Sequence, residues 1–308
     1  MQILTIGEIL WDVFDHAEHL GGAPLNFSAA LHRLGSQVNL ISGLGSDNYG
    51  TRALQAMTER GLPTQFVQVF PEKATGTARV TTDEKGNTNF FIQRPAAFDE
   101  VQLDASQLSA IEALKPDWIY YGTLTQTHAP ALATLETILH RVPTARRFYD
   151  MNLRTGHWNL ALVQRLSQDA SILKLNDAEA ETLFELTCPN QSFSLDSFAA
   201  YWSATYNVDT ICITLGSKGC AVYKDKELHI FNGFTVQVAD TVGAGDAFAA
   251  AFLYGQIRGW APSCQANFAN ALGALVASRA GATPAWTAEE CIAIMSERAS
   301  DPAARAAS

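Results

Sequence analysis

Basic residues are in deficit: 21 Lys and Arg stand against 31 Asp and Glu, a formal charge of −10 at neutral pH. That balance argues against a broad basic face, and with it against a nucleic-acid or anionic-membrane partner. An anionic small molecule remains open, because a few local cations suffice to gather a phosphate. Cysteine is sparse as well. Cys188, Cys212, Cys220, Cys264 and Cys291 are odd in number and scattered, with no Cys-x-x-Cys pair, so neither a zinc ribbon nor a disulfide framework is predicted. Cys212 and Cys220 fall inside apolar segments and read as core packing. No run approaches the ~18 apolar residues of a spanning helix. The opening MQILTIGEILWD has no basic head and no cleavage site, which predicts no signal peptide and a reducing cytoplasm as the compartment.

What is present suits a globular chain. An apolar fraction of 47% and a charged fraction of 17% build a sizeable core without metal or disulfides. The 308 residues fit one large α/β domain spanning 1–308. Residues 2–6 read as a buried strand. Gly21-Gly22 opens a helical pattern that Gly35 terminates, Val38–Ile41 is the next strand, and a helix runs from about Tyr49 to Arg60. This βαβ alternation predicts a doubly wound, mostly parallel sheet with helices on both faces.

The middle breaks that pattern. From about Pro63 to Arg94 the sequence reads as strands alone, TQFVQVF, GTARVTTD and NTNFFIQR, with a turn at Glu84-Lys85-Gly86-Asn87. These strands, with residues about 12–22, are expected to form a small, mostly antiparallel β lid inserted at about 12–22 and 63–98; an edge hairpin without function is the alternative. The alternation then returns, with strands ending at Gly122, Asp150, Asn176 and Gly216. Ligands of open α/β sheets gather beyond such carboxyl ends. Asp246 to Ala280 reads as two alanine-rich helices split near Gly259-Trp-Ala-Pro262, and the residues after Ser300 as a frayed tail.

The chemistry concentrates in Asp240-Thr-Val-Gly-Ala-Gly-Asp246, followed at once by an apolar helical run. Glycines at 243 and 245 let backbone N–H groups converge at a helix N-terminus, which favours an anion. An ionised Asp beside such a cradle suits phosphoryl transfer, the carboxylate taking the proton of an attacking hydroxyl. From these residues alone, a helix cap on a tight turn is an equal reading.

The longer stretch shifts the balance toward phosphoryl transfer. DTVGAGDAFAAAF resembles the C-terminal signature of the ribokinase-like (PfkB) carbohydrate kinases, and GGAPLNFSAALHRLG resembles their N-terminal signature, in the same order and across essentially the whole chain. The resemblance implies a doubly wound α/β body with a small β lid, ATP with Mg²⁺, and small-molecule sugar as the second substrate. It implies Asp246 as the catalytic base, with Gly243, Ala244 and Gly245 beside it as the anion hole. Asp12 matches the position that hydrogen-bonds sugar hydroxyls, and Gly22 and Asn26 would line the same pocket. Asn176-Asp-Ala-Glu179 matches an Asn-x-x-Glu element that organises water and Mg²⁺ around the phosphates, with Glu179 reaching the metal through water. Thr214, Gly216 and Gly219 resemble the nucleotide-side loop, although a turn between two strands would look the same. Asn270 lies near the family's adenine pocket, the other reading being a satisfied core amide. Many members respond to K⁺, which makes that ion a further candidate cofactor, and the lid edges are candidates for a homodimer contact.

For the acceptor, Ala23-Pro24 and Asp150-Met-Asn152-Leu-Arg154 look like fructokinases and their 2-keto-3-deoxygluconate kinase relatives. Arg94 and Arg154 are the cationic candidates near the substrate: facing it, they would favour a sugar acid or a phosphorylated sugar; facing ATP or solvent, a neutral hexose. Fructose is the first expectation. A 2-keto-3-deoxygluconate, pentose or nucleoside kinase is the alternative within the family, and a non-catalytic sugar- or nucleotide-binding regulator the alternative of another class. Competing motifs fail on their own terms. Gly45 to Thr51 has P-loop spacing without the lysine, His16 and His19 lack a third metal ligand, and no Gly-x-Ser-x-Gly or dinucleotide-binding glycine pattern occurs.

Overall fold

Ile3, Leu4, Thr5 and Ile6 are all buried, the pattern of a strand flanked by parallel neighbours and covered on both faces. The computed structural model describes residues 1–82 and 88–300, with the side chains of all of these except 80–82, 88–90 and 297–300. The turn expected at Glu84-Lys85-Gly86-Asn87 and the tail after Ser300 lie outside the described residues. The backbone divides into two units, Met1–Phe148 with Leu153–Leu162, and Tyr149–Asn152 with Val163–Ser308.

The first unit holds β1 (Gln2–Ile6), β2 (Leu10–Val13), β3 (Glu18–Gly21), α1 (Ala23–Arg33), β4 (Gln37–Gly45), α2 (Asn48–Glu59), β5 (Val67–Phe70), β6 (Gly76–Thr82) and β7 (Thr88–Gln93). It continues through α3 (Ala105–Leu114), β8 (Trp118–Gly122) and α4 (Ala129–Arg141), and β9 (Arg146–Asp150) and α5 (Leu160–Ser167) carry the chain between the units. Strands β5, β4, β1 and β8 lie side by side in that order, all parallel. A separate sheet has the order β3-β2-β6-β7, antiparallel at its two outer pairings and parallel between β2 and β6. One expectation changes here. Thr64–Phe70, grouped with the small sheet from its sequence, forms β5 and pairs with β4 instead. Strand periodicity is the same in either sheet, so it cannot name the partner. The small sheet is mostly antiparallel, as expected, with one parallel pairing, β2 with β6, at its centre.

Local signals set these boundaries. Gly22 caps α1 with φ 107°, and a Cβ there would lie 2.4 Å from Glu8 O, so no other residue fits without movement. Asp47 caps α2 by accepting from Gly50 N at 2.8 Å. Phe27 of α1 stacks on Tyr120 of β8 with ring centroids 3.7 Å apart, an aromatic pairing that adds about 1 kcal/mol beyond burial. Ala78 is buried and Arg79 exposed, the alternation expected of β6.

The second unit holds β10 (Ile172–Asn176), α6 (Asp177–Thr187), α7 (Leu195–Tyr206), β11 (Thr210–Thr214), β12 (Gly219–Lys224), β13 (Glu227–Asn232), α8 (Ala244–Ile257), α9 (Pro262–Ala277) and α10 (Ala288–Ser300). β10 and β11 are parallel, and β11, β12 and β13 form an antiparallel meander. The alanine runs of α8 and α9 are buried, and their small side chains let two helix backbones approach. Mostly parallel strands flanked by helices, with a small separate sheet, are the α/β class that the alternation predicts. No described helix is long and apolar enough to cross a membrane.

Candidate active site

The signature turn of the second unit is built around a glycine that any side chain would strain. Gly243 caps α8 at φ 79°, and a Cβ on it would sit 2.1 Å from Ala282 O. Asp240 anchors the same turn, accepting from Val242 N at 3.0 Å and from Gly281 N at 3.1 Å. The helix's first bond runs from Ala247 N to Gly243 O at 2.9 Å. The N–H groups ahead of it stand at the electropositive end of α8, with Asp246 in that first turn. Gly245 differs from Gly243. A Cβ there would meet only Lys174 Nζ, at 3.7 Å, so packing does not require glycine at this position.

A cavity of about 720 Å³ opens at this helix start, within the range of small-ligand pockets. Thr214, Gly216, Gly219, Ala244, Gly245 and Asn270 all line it, so residues named from three separate sequence segments share one wall. Gly216 has φ 59° and a Cβ on it would meet nothing within 4 Å, whereas a Cβ on Gly219 would meet Phe231 O at 2.1 Å. Asn270 is also a satisfied amide, its Nδ2 donating to Phe231 O at 3.2 Å and Asn232 O at 3.3 Å. Sequence reasoning missed residues 233–236, Val238 and the small residues Gly273, Ala274 and Ala277. The available signal was their spacing: 273, 274 and 277 fall on one face of α9.

Asn176 and Glu179 form a reciprocal cap on α6. Asn176 Oδ1 accepts from Glu179 N at 2.8 Å, and Glu179 Oε2 accepts from Asn176 N at 2.9 Å. Beside them, the buried Lys174 Nζ lies 2.9 Å from each carboxylate oxygen of Asp150. Burial opposes its charge, but Asp150, Asp246 and Glu179 outweigh it and raise the ammonium pKa.

In the first unit Asp12 is buried on β2, and a Cβ on Gly21 would lie 2.6 Å from Asp12 Oδ2. The double glycine therefore makes room for the carboxylate as well as capping α1. Asn26 is buried in the first turn of that helix. Arg94 is not placed as expected for a substrate contact. Its Nε donates to Asp99 Oδ2 at 3.1 Å and one terminal nitrogen to Asp99 Oδ1. That nitrogen also meets His128 Nδ1 at 2.7 Å, and the other donates to Leu124 O at 2.7 Å and Thr127 Oγ1 at 2.6 Å. All five guanidinium donors are thus committed inside the protein, which the sequence could not reveal because residues 124–128 are brought in by folding. Burial lowers the pKa of nearby His157, and Arg94 and His128 lower it further against the opposing pull of Asp99. Arg154 is partly exposed, its carbonyl accepting from His157 N at 2.8 Å.

The chain is 29% identical over 280 residues to probable fructokinase-3 of Arabidopsis thaliana, covering 86% of this chain and 79% of that one. It is 26% identical to a fructokinase of Vibrio alginolyticus, covering 92% and 95%. Its fold superposes on a fructokinase with bound ATP from Xylella fastidiosa with a TM-score of 0.85 at 23% identity, covering 97% and 99%. A 2-dehydro-3-deoxygluconokinase of Thermotoga maritima gives 0.83 at 20%, covering 96% and 99%. The family description pfkB family carbohydrate kinase matches residues 7–289, and the chain belongs to that family of sugar kinases.

Proposed function

We propose that the protein transfers the γ-phosphoryl group of ATP to a hydroxyl of a neutral hexose, fructose first, with Asp246 as general base. The observation that carries this reading is the cavity at the start of α8, lined together by Thr214, Gly216, Gly219, Ala244, Gly245 and Asn270. A nucleotide in it would direct its phosphates to the electropositive end of α8, next to the residue that takes the acceptor's proton. The N–H groups of Gly243, Gly245 and Asp246 hold charge on the transferred group while Asp246 accepts the proton; Ala244 N, expected among them, donates within the turn to Thr241 O at 3.3 Å. Mg²⁺ would neutralise phosphate charge, and Glu179 fits it as a hard oxygen donor acting through water, its carboxylate fixed by Asn176 N. K⁺ is proposed as an activator to be tested alongside.

Asp12 and Asn26 are proposed to bind sugar hydroxyls, and the small sheet that carries Asp12 to act as a lid that excludes water from the bound sugar. Fructose is favoured over an acidic sugar because Arg94's donors are already taken, and because the relatives above carry the name fructokinase. The test is ADP release from ATP and Mg²⁺, with and without K⁺, for wild type and Asp246→Asn. The acceptors are fructose, glucose, mannose, ribose, 2-keto-3-deoxygluconate, fructose phosphates and adenosine. Turnover of fructose that the substitution reduces by roughly 10²–10⁴ supports the reading. Preference for 2-keto-3-deoxygluconate would move the acceptor assignment to the acid, with Arg154 as its cation. ATP binding without turnover of any acceptor would replace the enzyme reading by a regulator.

A further inference from the structure

The small sheet is held to α2 by more than apolar contact. Trp11 of β2 and Leu20 of β3 are buried in one cluster with Ala53 and Met57 of α2. Polar contacts are added to that seat. Tyr49 and Arg52 stand three residues apart on α2 and so share a face. Tyr49 OH donates to Glu18 Oε1 at 2.7 Å, and Arg52 Nη1 donates to Glu18 Oε2 at 2.6 Å. Arg52 also lies over the Trp11 ring, 4.2 Å from its centroid, while Trp11 Nε1 donates to Tyr49 O at 3.1 Å. One arginine therefore grips both strands of the β2–β3 hairpin.

The place of this grip is specific. In the ladder Trp11 pairs with Leu20, Asp12 with His19 and Val13 with Glu18. Trp11 and Glu18 thus belong to the two pairs that flank Asp12, one on each strand. Trp11 and Val13 pack with the cluster on α2, whereas Leu10 and Ala78 pack with Leu124 on the other face. Alternation puts Asp12 on that second face, with Leu10. Stability does not account for the ion pair, because the Arg52 and Glu18 side chains are 39% and 36% exposed and such pairs add little to folding. Hydrogen bonds from Tyr49, then Arg52, hold the Glu18 carboxyl below its ordinary range, so the grip is present at neutral pH.

We propose that Arg52 is a positioning residue for the sugar site: by holding Trp11 and Glu18 against one face of α2, it fixes the two ladder pairs on either side of Asp12 and so the direction in which that carboxylate meets the sugar. The inference rests on Asp12 binding the acceptor. Arg52 acts from the opposite face of the strand and touches neither substrate. Its loss lets the hairpin shift on its apolar seat without unseating it.

The test compares wild type, Arg52→Met, Arg52→Lys, Glu18→Gln, the double variant Arg52→Met with Glu18→Gln, and Asp12→Asn. Initial rates are read with ATP and with the sugar that turns over in the panel above, each varied in turn, beside calorimetric binding of that sugar and thermal unfolding. Arg52→Met, whose side chain still covers Trp11, is expected to raise the sugar KM and dissociation constant roughly three- to tenfold, short of the ~10²-fold that a 1 Å misplacement can cost. The kcat, the KM for ATP and the melting temperature are expected to stay near wild type. Arg52→Lys keeps a cation for Glu18 but loses the planar face on Trp11, and should recover part of the loss. Glu18→Gln cuts the same contact from an exposed position, so it should show the same pattern and serves if Arg52→Met does not fold. The double variant should be no worse than Arg52→Met alone, because both changes remove one contact. A melting temperature that falls while sugar binding holds makes the grip structural and overturns the proposal, as does a loss shared equally by the KM for ATP. Asp12→Asn separates the two levels: if it binds sugar as wild type does, the sugar assignment of Asp12 fails and the proposal with it. If Asp12→Asn is impaired and Arg52→Met is not, the proposal alone fails.

Discussion

Gly243 and Ala282 approach so closely that a Cβ on the glycine would lie 2.1 Å from the alanine carbonyl oxygen, and Gly243 also holds φ 79°. Two residues on, a Cβ at Gly245 would meet nothing nearer than Lys174 Nζ at 3.7 Å. The same signature therefore contains one glycine demanded by the fold and one that the fold leaves optional. Gly243→Ala is expected to lower stability by about 1–3 kcal/mol through backbone strain and the close contact. Gly245→Ala is expected to fold with an unchanged melting temperature and lose roughly tenfold or more in kcat/KM for ATP, since its methyl enters the proposed phosphate cradle. Thermal unfolding and steady-state kinetics on the two variants separate these outcomes. An inactive Gly243→Ala of full stability, or a fully active Gly245→Ala, would reverse the assignment.

Arg94 gives a prediction of the opposite kind. Its donors are all committed to Asp99, Leu124, Thr127 and His128, and its side chain is 6% exposed against 0% for Asp99. Arg94→Met leaves a buried carboxylate without its cation, which typically costs about 3–5 kcal/mol. Arg94→Met combined with Asp99→Leu should recover a large part of that loss, because it removes both charges together. Denaturant unfolding of the single and double variants measures the difference. If Arg94→Met instead keeps wild-type stability and raises only the KM for the sugar, Arg94 is a substrate contact after all.

These two cases mark what the sequence could and could not convey. The βαβ alternation, the helix starting after Gly22 and the turn ending at Asp246 are local patterns, carried by neighbouring residues, and the structure has them where the residues place them. Thr214, Gly216 and Gly219 come from one loop and Asn270 from a helix named by the resemblance, and all four line one cavity. The partner of β5 was not, since an alternating strand carries no record of which sheet it joins. Arg94's fate was hidden for a related reason: Asp99 is close in sequence, but Leu124, Thr127 and His128 come from beyond β8. A lone arginine near a predicted pocket reads the same whether its partners are a substrate or the protein. Asn176 and Glu179 show a third case, where one spacing serves both a helix cap and a proposed metal position.

The Lys174–Asp150 pair also sets a limit on alkaline stability. The folded pKa of Lys174 is raised above its ordinary value despite burial, so the folded state holds this proton more tightly than the unfolded chain does. Its contribution is complete below the ordinary lysine value of about 10.4 and declines as pH rises through the higher folded value. Lys174→Met should therefore show a flatter decline of melting temperature over that alkaline window than wild type. Parallel curves for the two proteins would show that another group controls the transition.

The proposed nucleotide cavity can be tested by filling it from a side that the core does not use. Ala274 lines the cavity on α9 and is only partly buried, whereas the neighbouring Leu275 and Val276 are buried in the core. Ala274→Leu introduces an isobutyl group without removing a core contact, and leucine costs little in helix propensity relative to alanine. Stability is therefore expected to hold. Space for the nucleotide shrinks, and the KM for ATP should rise roughly tenfold or more, the scale of about 1–3 kcal/mol for overpacking a well-fitted site. The KM for fructose should stay near wild type when measured at saturating ATP, since Asp12 and Asn26 lie in the other unit. Initial-rate kinetics with each substrate varied in turn reads both constants. A variant whose fructose KM rises while its ATP KM holds would place the sugar, not the nucleotide, against α9.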